Sequence, residues 1–488
     1  MMMLSQAAKA LNTEICGTDV GFSAVSKDTR HCHPGDLYIA LKGEHFDGHD
    51  FIPQAEQAGA VAALVSKQQR GKLPQLCVTD TRYALGQLAA YWLQQWRQPL
   101  TGQPPGASNN PDLSNRPGLL THKLIAITGS NGKTTVKEMC RHILIQSAGS
   151  EKVLATQGNL NNDIGMPLTV LGLRASHQYA VIEMGASHMG EIKALSAIGK
   201  PDIALITNAA AAHLEGFGSI ENVATAKAEI FSGLSDAGVA VINADDPYAG
   251  MWLEQTARNR RLLFSIKNKH ADVFAEKISA DSYRIITTQG NFEMQLPVPG
   301  KHNVMNALAA TAICCAIGID LINIRHGLNS FENIAGRLKM KVGTNGSRII
   351  DDSYNANPLS VQAAIDVLVE QTGKKILVLG DMAELGKAAA KLHTQIGVYA
   401  RQAGIEILYA TGNNSKYTVE AFGQGAKYFS TRTALIQSLL AGLTGDEIIL
   451  VKGSRSAAMD KVVTALLSGN HNVNGNNNTE KGDTCYSH

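Results

Sequence analysis

The sequence predicts a three-domain α/β protein, and three observations carry that prediction. From His122 onward, apolar runs of Val, Ile, Leu and Ala alternate with segments of helical spacing, the pattern of a mostly parallel sheet covered on both faces. A stretch rich in Pro, Gly and Asn at 99–118 interrupts the chain early, and a second break falls at 331–337. At 488 residues the chain also exceeds what one hydrophobic core usually serves. The expected division is a small α/β N-terminal domain over 1–100, a linker over 101–121, a central phosphate-loop domain with a mostly parallel sheet over 122–331, a C-terminal Rossmann-like α/β domain over 332–468, and a disordered Asn- and Gly-rich tail over 469–488.

The first domain opens with helical spacing. Then come Ser26-Lys27-Asp28-Thr29-Arg30, a strand-like run at 36–41, and the loop Gly43-Glu44-His45-Phe46-Asp47-Gly48-His49-Asp50, after which strand and helix patterns alternate to Trp96. These two polar, glycine-bearing loops suit an anionic or uridine-like ligand as readily as they suit solvated turns.

The central domain is organised around 123–137, KLIAITGSNGKTTVK. The apolar run at 124–127 reads as a buried parallel strand, Thr128-Gly129-Ser130-Asn131-Gly132 as a turn, and 133–146 as a helix. Such a turn leaves main-chain N–H groups pointing at one spot beside a helix N-terminus, which favours a bound phosphate. Lys133 adds a cation that reaches the outer phosphates, and the Thr134 hydroxyl is placed to ligate a Mg²⁺ they carry. Ile127 stands where the common eight-residue pattern has Gly, so Gly129-Ser130-Asn131-Gly132-Lys133-Thr134-Thr135 reads as a variant phosphate loop, against the plainer reading of a glycine turn with a surface lysine.

Further strands are expected at 152–156, 179–184, 203–207 and 239–243. Ligands of parallel sheets sit off the carboxyl ends of the strands, which is where Glu183, Asn208 and His213 fall. A carboxylate directly after a core strand suits a Mg²⁺ ligand, because structure by itself rarely wants a charge there. His213 is weaker in isolation, since Mg²⁺ prefers oxygen and a lone histidine is more often a surface or capping residue. Lys227, among small residues in a predicted helix over 220–231, reads from composition as a lysine whose stem lies along apolar surface. Asn303 and Asn306 share one face at the start of an alanine-rich helix; their amides suit a base edge, and helix capping by Asn303 competes equally.

In the third domain, strands are expected at 348–350, 375–379, 406–409 and 447–451. Arg337, at the junction, suits a phosphate clamp or an interface ion pair. In the loop Asp351-Asp352-Ser353-Tyr354-Asn355-Ala356-Asn357-Pro358 the two acids suit ribose hydroxyls or a cationic substrate group, and Asn357 before Pro358 suits a helix entry. Polar loops recur after two later strands, at 380–386 and 452–456, and point to a site facing the central domain.

Composition bounds the rest. A net charge of +2 with 18% charged residues gives no basic excess for a nucleic-acid partner, so small molecules are the expected partners. Seven scattered cysteines without a C-x-x-C pair argue against a disulfide framework or a zinc site and for reduced thiols in a cytoplasm. Lys9 interrupts the apolar N-terminal residues, and the longest apolar segment, 308–319, is shorter than the roughly 20 residues that cross a bilayer, so a soluble, unexported chain without membrane insertion is expected.

Taken together, SKDTR, GDLYIALKGEHFDGHDF, TGSNGKTT, TQGNLNN, VIEMGA, HLEGFGS, ATAKAEIF, HNVMNALAA, AGR, DDSYNANP, LGDMAELG and KGSRS resemble one family, the Mur ligases, ATP-dependent amide-forming enzymes of peptidoglycan precursor synthesis. The resemblance runs from about residue 20 to 465 and is most specific to the branch that adds D-alanyl-D-alanine to UDP-N-acetylmuramoyl-tripeptide, through DDSYNANP, LGDMAELG and GEHFDGHDF. It implies that 129–135 holds the ATP phosphates, that Thr134 and Glu183 bind one Mg²⁺, that His213 serves a second, and that Lys227 is carbamylated and so becomes an anionic oxygen ligand. It further implies an adenine contact at Asn303, a phosphate contact at Arg337 and a ribose contact at Asp352. Asn159 and Asn162 match positions lining the central cleft, and Tyr354, Asn355 and Asn357 belong to the third-domain substrate loop. Ser26, Asp28, Arg30, Phe46, Asp47 and Gly48 correspond to the region holding the uridine-diphosphate end, which makes 1–100 a UDP-substrate domain. Lys133, Lys227, His213 and Glu183 are the implied catalytic set, acting in a cytoplasmic monomer. Two rivals remain at this stage: a folylpolyglutamate synthetase, disfavoured by the uridine-type first domain, and a nucleotide-binding switch that ligates nothing, disfavoured by the intact Lys133, Thr134, Glu183 and Lys227.

Overall fold

The computed structural model describes residues 1–98, 122–279 and 281–468; the linker read at 101–121 and the tail read at 469–488 lie outside the described residues. The chain divides into two compact units, the first comprising Met1–Ala210, Gly216–Pro297 and Lys301–Phe331, the second Ala211–Glu215, Val298–Gly300 and the chain from Glu332 on.

In the first unit a five-stranded sheet runs in the order Ile15–Cys16, Gln75–Cys77, Ala62–Val65, Asp36–Ile39, Ala24–Ser26, parallel except at its first pair. The strand Asp36–Ile39 is buried at every position, as a strand covered on both faces must be. The helix Thr81–Arg97 starts at Asp80, whose carboxylate accepts the N–H groups of Arg82 and Tyr83, and it carries Leu85, Leu88 and Trp96 into a core that continues through Leu124, Ala126 and Ile182. Trp92 and Trp96 donate their indole N–H groups to the carbonyls of Leu173 and His177 at 3.0 and 3.2 Å, and Arg82 grips Asp163 with two nitrogens. Residues of the expected N-terminal and central domains therefore share one core within one unit.

The second sheet of this unit has nine strands among the described residues: Gly290–Gln295, Ser282–Thr287, Val273–Lys277, Arg260–Ser265, Val239–Asn243, Ile203–Ile206, Lys123–Thr128, Tyr179–Glu183 and Val153–Ala155, in that spatial order. Pairing is parallel from Val273–Lys277 to Val153–Ala155 and antiparallel on the other side, between Val273–Lys277 and Ser282–Thr287 and between Ser282–Thr287 and Gly290–Gln295. The five strands expected here fall within a residue or two of their places, whereas the four at 260–295 were not legible. Gly290–Gln295 alternates exposed and buried residues and so lacks the continuous apolar run of a doubly covered strand. Strand order reverses about Lys123–Thr128, which lies between Ile203–Ile206 and Tyr179–Glu183; a crevice forms at the carboxyl end of such a switch strand.

In the second unit the sheet order is Lys339–Val342, Arg348–Asp352, Glu447–Lys452, Lys374–Leu379, Ile407–Thr411, Ala426–Phe429, parallel apart from the first, antiparallel edge. Alternate residues feed two separate cores. Ile350, Leu377 and Leu379 pack with the helices Pro358–Val369 and Ala389–Gln402, while Ile349, Ile376 and Val378 pack with Arg432–Ala441 and Asp460–Ser468. This is the doubly wound arrangement expected of a Rossmann-like domain. Among the described residues no helix is long and apolar enough to cross a membrane.

Candidate functional site

The turn after Lys123–Thr128 is shaped by two glycines. Gly129 has φ 145° and a Cβ there would lie 1.9 Å from Thr207 Oγ1; Gly132 has φ 83° and a Cβ would lie 2.4 Å from Asn306 Oδ1. Both the left-handed backbone and the close neighbours require a residue without a side chain. Gly132 precedes the helix Lys133–Ala148 and offers nothing to cap it, so the first-turn N–H groups face the concavity of the loop. The segment after Ile203–Ile206 braces the turn: the N–H groups of Ser130 and Asn131 donate to Asn208 O and Oδ1 at 2.9 and 3.1 Å, and Thr207 Oγ1 donates to Asn131 O at 2.6 Å. Lys133 Nζ donates to Gly129 O at 2.6 Å, so its ammonium folds over the loop. Thr135 is buried. Ile127, the departure from the common pattern, is fully buried within the strand, and the turn begins after it.

Glu183 ends the neighbouring strand, 3% exposed. Its carboxylate is held on both sides: Thr134 Oγ1 donates to Oε2 at 2.9 Å and Asn161 Nδ2 donates to Oε1 at 2.8 Å. Its own N–H donates to Thr156 Oγ1 at 2.9 Å, while Thr156 O accepts from the buried Lys137 Nζ at 2.5 Å. A hydroxyl and a carboxylate side by side form the all-oxygen donor set that suits Mg²⁺, so the residues present fit that ion. Among the described residues there is no cluster of three or more His, Cys, Asp or Glu of the kind that holds a metal by protein ligands alone.

Asn161 was missed in the sequence. Asn159 and Asn162 were singled out from TQGNLNN, and both are exposed; Asn162 Oδ1 accepts the Gly165 N–H at 2.8 Å and opens the helix Gly165–Leu171. Three asparagines in seven residues were visible, but only the tertiary register picks the middle one for Glu183.

Lys227 is 2% exposed in the helix Ile220–Ala228, which tightens into a 3-10 turn at Glu229–Gly233, inside the helical span expected to 231. Its Nζ lies 5.5 Å from the ring centre of Phe217. Burial, with the charge of Lys133 beside it, pushes its ammonium down to about 7 against the pull of Glu191, Glu229 and Glu183. The side chain is thus a buried amine, and the reading of a lysine stem lying along the surface is replaced.

Asn303 occupies the third position of the helix Lys301–Ala316, where its Oδ1 accepts from Asn306 Nδ2 at 3.2 Å, and both are buried. The residue just before a first turn is where a cap sits, so this places Asn303 within the helix.

Within the second unit, Asp352 accepts from Lys452 Nζ at 2.5 Å, and burial raises its carboxyl against the pull of Lys452 and Arg337. Lys452 Nζ also donates to Asn355 O at 2.8 Å. Asn357 caps the helix Pro358–Val369, its Oδ1 accepting the Ser360 N–H at 3.0 Å, so the expected helix entry is found. The Arg337 guanidinium stands 4.5 Å from the ring centre of Tyr354. His213, which belongs to this unit, has φ 52° and faces Glu384, at φ 60°; His213 Nδ1 and Glu384 Oε2 are 2.5 Å apart.

The two N-terminal loops are closed by internal bonds. Ser26 Oγ donates to Asp28 O at 3.0 Å, and the Arg30 guanidinium clasps the Asp28 carboxylate, holding it well below the usual carboxylate range. Asp47 Oδ1 accepts the His49 N–H at 3.0 Å, Gly48 O accepts from Tyr38 OH at 3.0 Å, and Phe46 is 46% exposed.

A phosphate-type loop at a switch strand, a hydroxyl–carboxylate pair beside it, and a separate doubly wound unit define a nucleotide-binding α/β protein. The chain belongs to the Mur ligase family: the Mur ligase middle domain matches residues 127–314, the Mur ligase glutamate ligase domain matches 336–455, and the Mur ligase family catalytic domain matches 22–92. It is 44% identical to the UDP-N-acetylmuramoyl-tripeptide--D-alanyl-D-alanine ligase of Escherichia coli strain K12, covering 95% of this chain and 98% of that protein, and 34% identical to the ligase of the same name from Bacillus subtilis strain 168, covering 91% and 93%. The crystal structure I of MurF from Acinetobacter baumannii superposes with a TM-score of 0.84 at 34% identity, covering 95% of this chain and 98% of that one.

Proposed function

We propose that this chain is the ATP-dependent ligase that joins D-alanyl-D-alanine to UDP-N-acetylmuramoyl-tripeptide, giving the UDP-N-acetylmuramoyl-pentapeptide, ADP and phosphate. The observation that carries this reading is the phosphate-type loop beside the Thr134–Glu183 pair, in a chain that covers 98% of a relative named for this reaction. The terminal carboxylate of the tripeptide attacks the γ-phosphorus of ATP and expels ADP, leaving an acyl phosphate. The amine of the dipeptide attacks the acyl carbon, the tetrahedral intermediate collapses, and phosphate leaves with the activated oxygen.

Two anions must meet in the first step, and the chain's contribution is to make that approach tolerable. The first-turn N–H groups of the helix Lys133–Ala148 and the Lys133 ammonium hold the phosphates. Thr134 and Glu183 would hold one Mg²⁺, with His213 and a carbamylated Lys227 serving a second; bound Mg²⁺ neutralises developing phosphoryl charge. Lys227 suits carbamylation because a buried amine depressed to about 7 is about half uncharged at neutral pH and open to CO₂, losing one proton as the carbamate forms. Asn303 suits the adenine, Arg337 a phosphate and Asp352 the ribose. The loops of Ser26, Asp28, Arg30, Phe46, Asp47 and Gly48 suit the uridine diphosphate. Asn159, Asn162, Tyr354, Asn355 and Asn357 remain assigned to the peptide substrates, and the enzyme to the cytoplasm as a monomer.

The test is phosphate release from ATP by purified protein. Release that needs both UDP-N-acetylmuramoyl-tripeptide and D-alanyl-D-alanine, with pentapeptide seen by mass, supports the reading. Release with neither, or with a folate in place of the nucleotide substrate, overturns it.

A further inference from the structure

Burying a lysine inside a helix is costly unless its donors are met, and the helix Lys133–Ala148 buries one. Lys137 is 2% exposed, while the buried residues that follow it on the same helix, Met139, Cys140, Ile143 and Leu144, are apolar. Its Nζ donates to Thr156 O at 2.5 Å and lies 2.7 Å from Glu138 Oε1. Thr156 is equally buried, and its hydroxyl accepts the Glu183 N–H at 2.9 Å. One turn back on the helix, Thr134 donates its hydroxyl to Glu183 Oε2 at 2.9 Å. These bonds close a ring, from the helix through Thr134 to the Glu183 carboxylate, from the Glu183 main chain to Thr156, and from Thr156 through Lys137 back to the helix. The loop that leaves this ring is tied at both ends: the Thr156 N–H donates to Val181 O at 3.0 Å, and Asn161 O accepts the Gly185 N–H at 2.8 Å. Asn161, at its far end, is the second holder of Glu183.

We propose that Lys137 is a positioning residue for Glu183: by holding Thr156 O it fixes the hydroxyl on which the Glu183 main chain rests, and so the direction in which the carboxylate faces the site. This rests on the reading of Thr134 and Glu183 as Mg²⁺ ligands given under the proposed function. Packing alone would be served by a methionine of similar length, without the desolvation of a lysine. What the lysine adds is a donor at the end of a long stem, able to reach the carbonyl that follows the strand Val153–Ala155. That strand pairs with Tyr179–Glu183, so a bond at its end fixes the neighbouring strand end as well. Outer partners of this kind set the orientation of a metal-binding carboxylate and with it the affinity for the ion. In this role Lys137 touches neither nucleotide nor peptide; it acts through Thr156 and Glu183.

The test measures binding of a non-hydrolysable ATP analogue by calorimetry over a MgCl₂ series, a readout that needs no turnover. Lys137→Met should raise the Mg²⁺ concentration for half-maximal binding roughly 10- to 100-fold, while affinity for the analogue in EDTA stays as in wild type. Thr156→Val, which removes the hydroxyl and keeps the shape, should do the same, and Thr156→Ser should recover part of the loss. The double variant Lys137→Met/Thr156→Val should be no worse than the stronger single one, because both break one ring. An unchanged Mg²⁺ requirement in Lys137→Met overturns the assignment, as do a loss of affinity that is equal with and without Mg²⁺ and effects of the two substitutions that simply add. Should Lys137→Met not fold, Thr156→Val decides, and a wild-type Mg²⁺ requirement there overturns the assignment. Wild-type protein whose binding is indifferent to Mg²⁺ overturns it too. Mg²⁺-linked binding in a wild type that makes no pentapeptide removes the ligase reading and leaves the role of Lys137 standing.

Discussion

Asn161 donates its amide to Oε1 of Glu183 at 2.8 Å, on the opposite side of the carboxylate from the Thr134 hydroxyl. A carboxylate held on both sides presents its lone pairs in one orientation, and where such a group binds a metal, outer partners of this kind tune affinity. Asn161→Leu keeps the volume and removes the donor. We expect kcat to fall roughly 10- to 100-fold, the Mg²⁺ concentration for half-maximal rate to rise, and the thermal midpoint to move by only a few degrees. Phosphate-release assays over a MgCl₂ series, with a melt, check this; an unchanged Mg²⁺ dependence would remove Asn161 from the site.

Lys133 is the cation that the loop carbonyl of Gly129 holds over the turn. Lys133→Ala should lower turnover by at least about 10³-fold, because stabilisation of developing phosphoryl charge is lost. Pentapeptide formation followed by mass detects the loss. Near-normal turnover would rule the loop out as the phosphate cradle.

Burial and Lys133 place the Lys227 amine near about 7. Below that pH it is protonated and cannot take up CO₂; above it the free amine predominates. A ¹³C carbamate resonance on protein kept in labelled bicarbonate should therefore fade as pH drops through about 7, whereas an ordinary surface lysine would need pH above roughly 10 to react. Lys227→Ala should be inactive and regain part of its activity in small carboxylates such as acetate. Full activity without them would exclude the carbamate.

Gly129→Ala forces a Cβ to within 1.9 Å of Thr207 Oγ1 at a φ of 145°. The turn must shift, and we expect a loss of roughly 1–3 kcal/mol in stability together with a raised KM for ATP. Urea melts and ATP titrations measure the two effects, and wild-type values in both would contradict the close packing of the turn.

The Asp28 carboxyl is depressed chiefly by the Arg30 guanidinium. Its folded pKa lies below its unfolded one, so the pair stabilises the fold fully above the usual carboxylate range near 4 and loses that contribution progressively as pH falls from there through the depressed folded value. The Arg30 side chain is 70% exposed, which screens the pair. Arg30→Ala should cost under about 1 kcal/mol at pH 7, and the difference from wild type should begin to shrink in melts below about pH 4. A difference that grows in acid would reverse the sign argued here.

Local chemistry was readable where one residue type serves one purpose. The Gly129 to Thr135 loop, the carboxylate that ends the Tyr179–Glu183 strand and the helix entry at Asn357 each follow from a turn, a strand end or a cap. Strands buried on both faces announced themselves by unbroken apolar runs, while the half-wet hairpin at 282–295 did not.

What the sequence by itself determined is the α/β class, the phosphate-type loop and the family, because these depend on short-range order along the chain. Only the tertiary structure decided which of three neighbouring asparagines meets Glu183, that Lys227 is a buried amine, that Lys137 holds Thr156, and that residues 4 to 96 share a core with the sheet after 122. Those outcomes depend on the register and burial of segments far apart in sequence, and burial sets the charge state of an amine in a way that spacing does not encode.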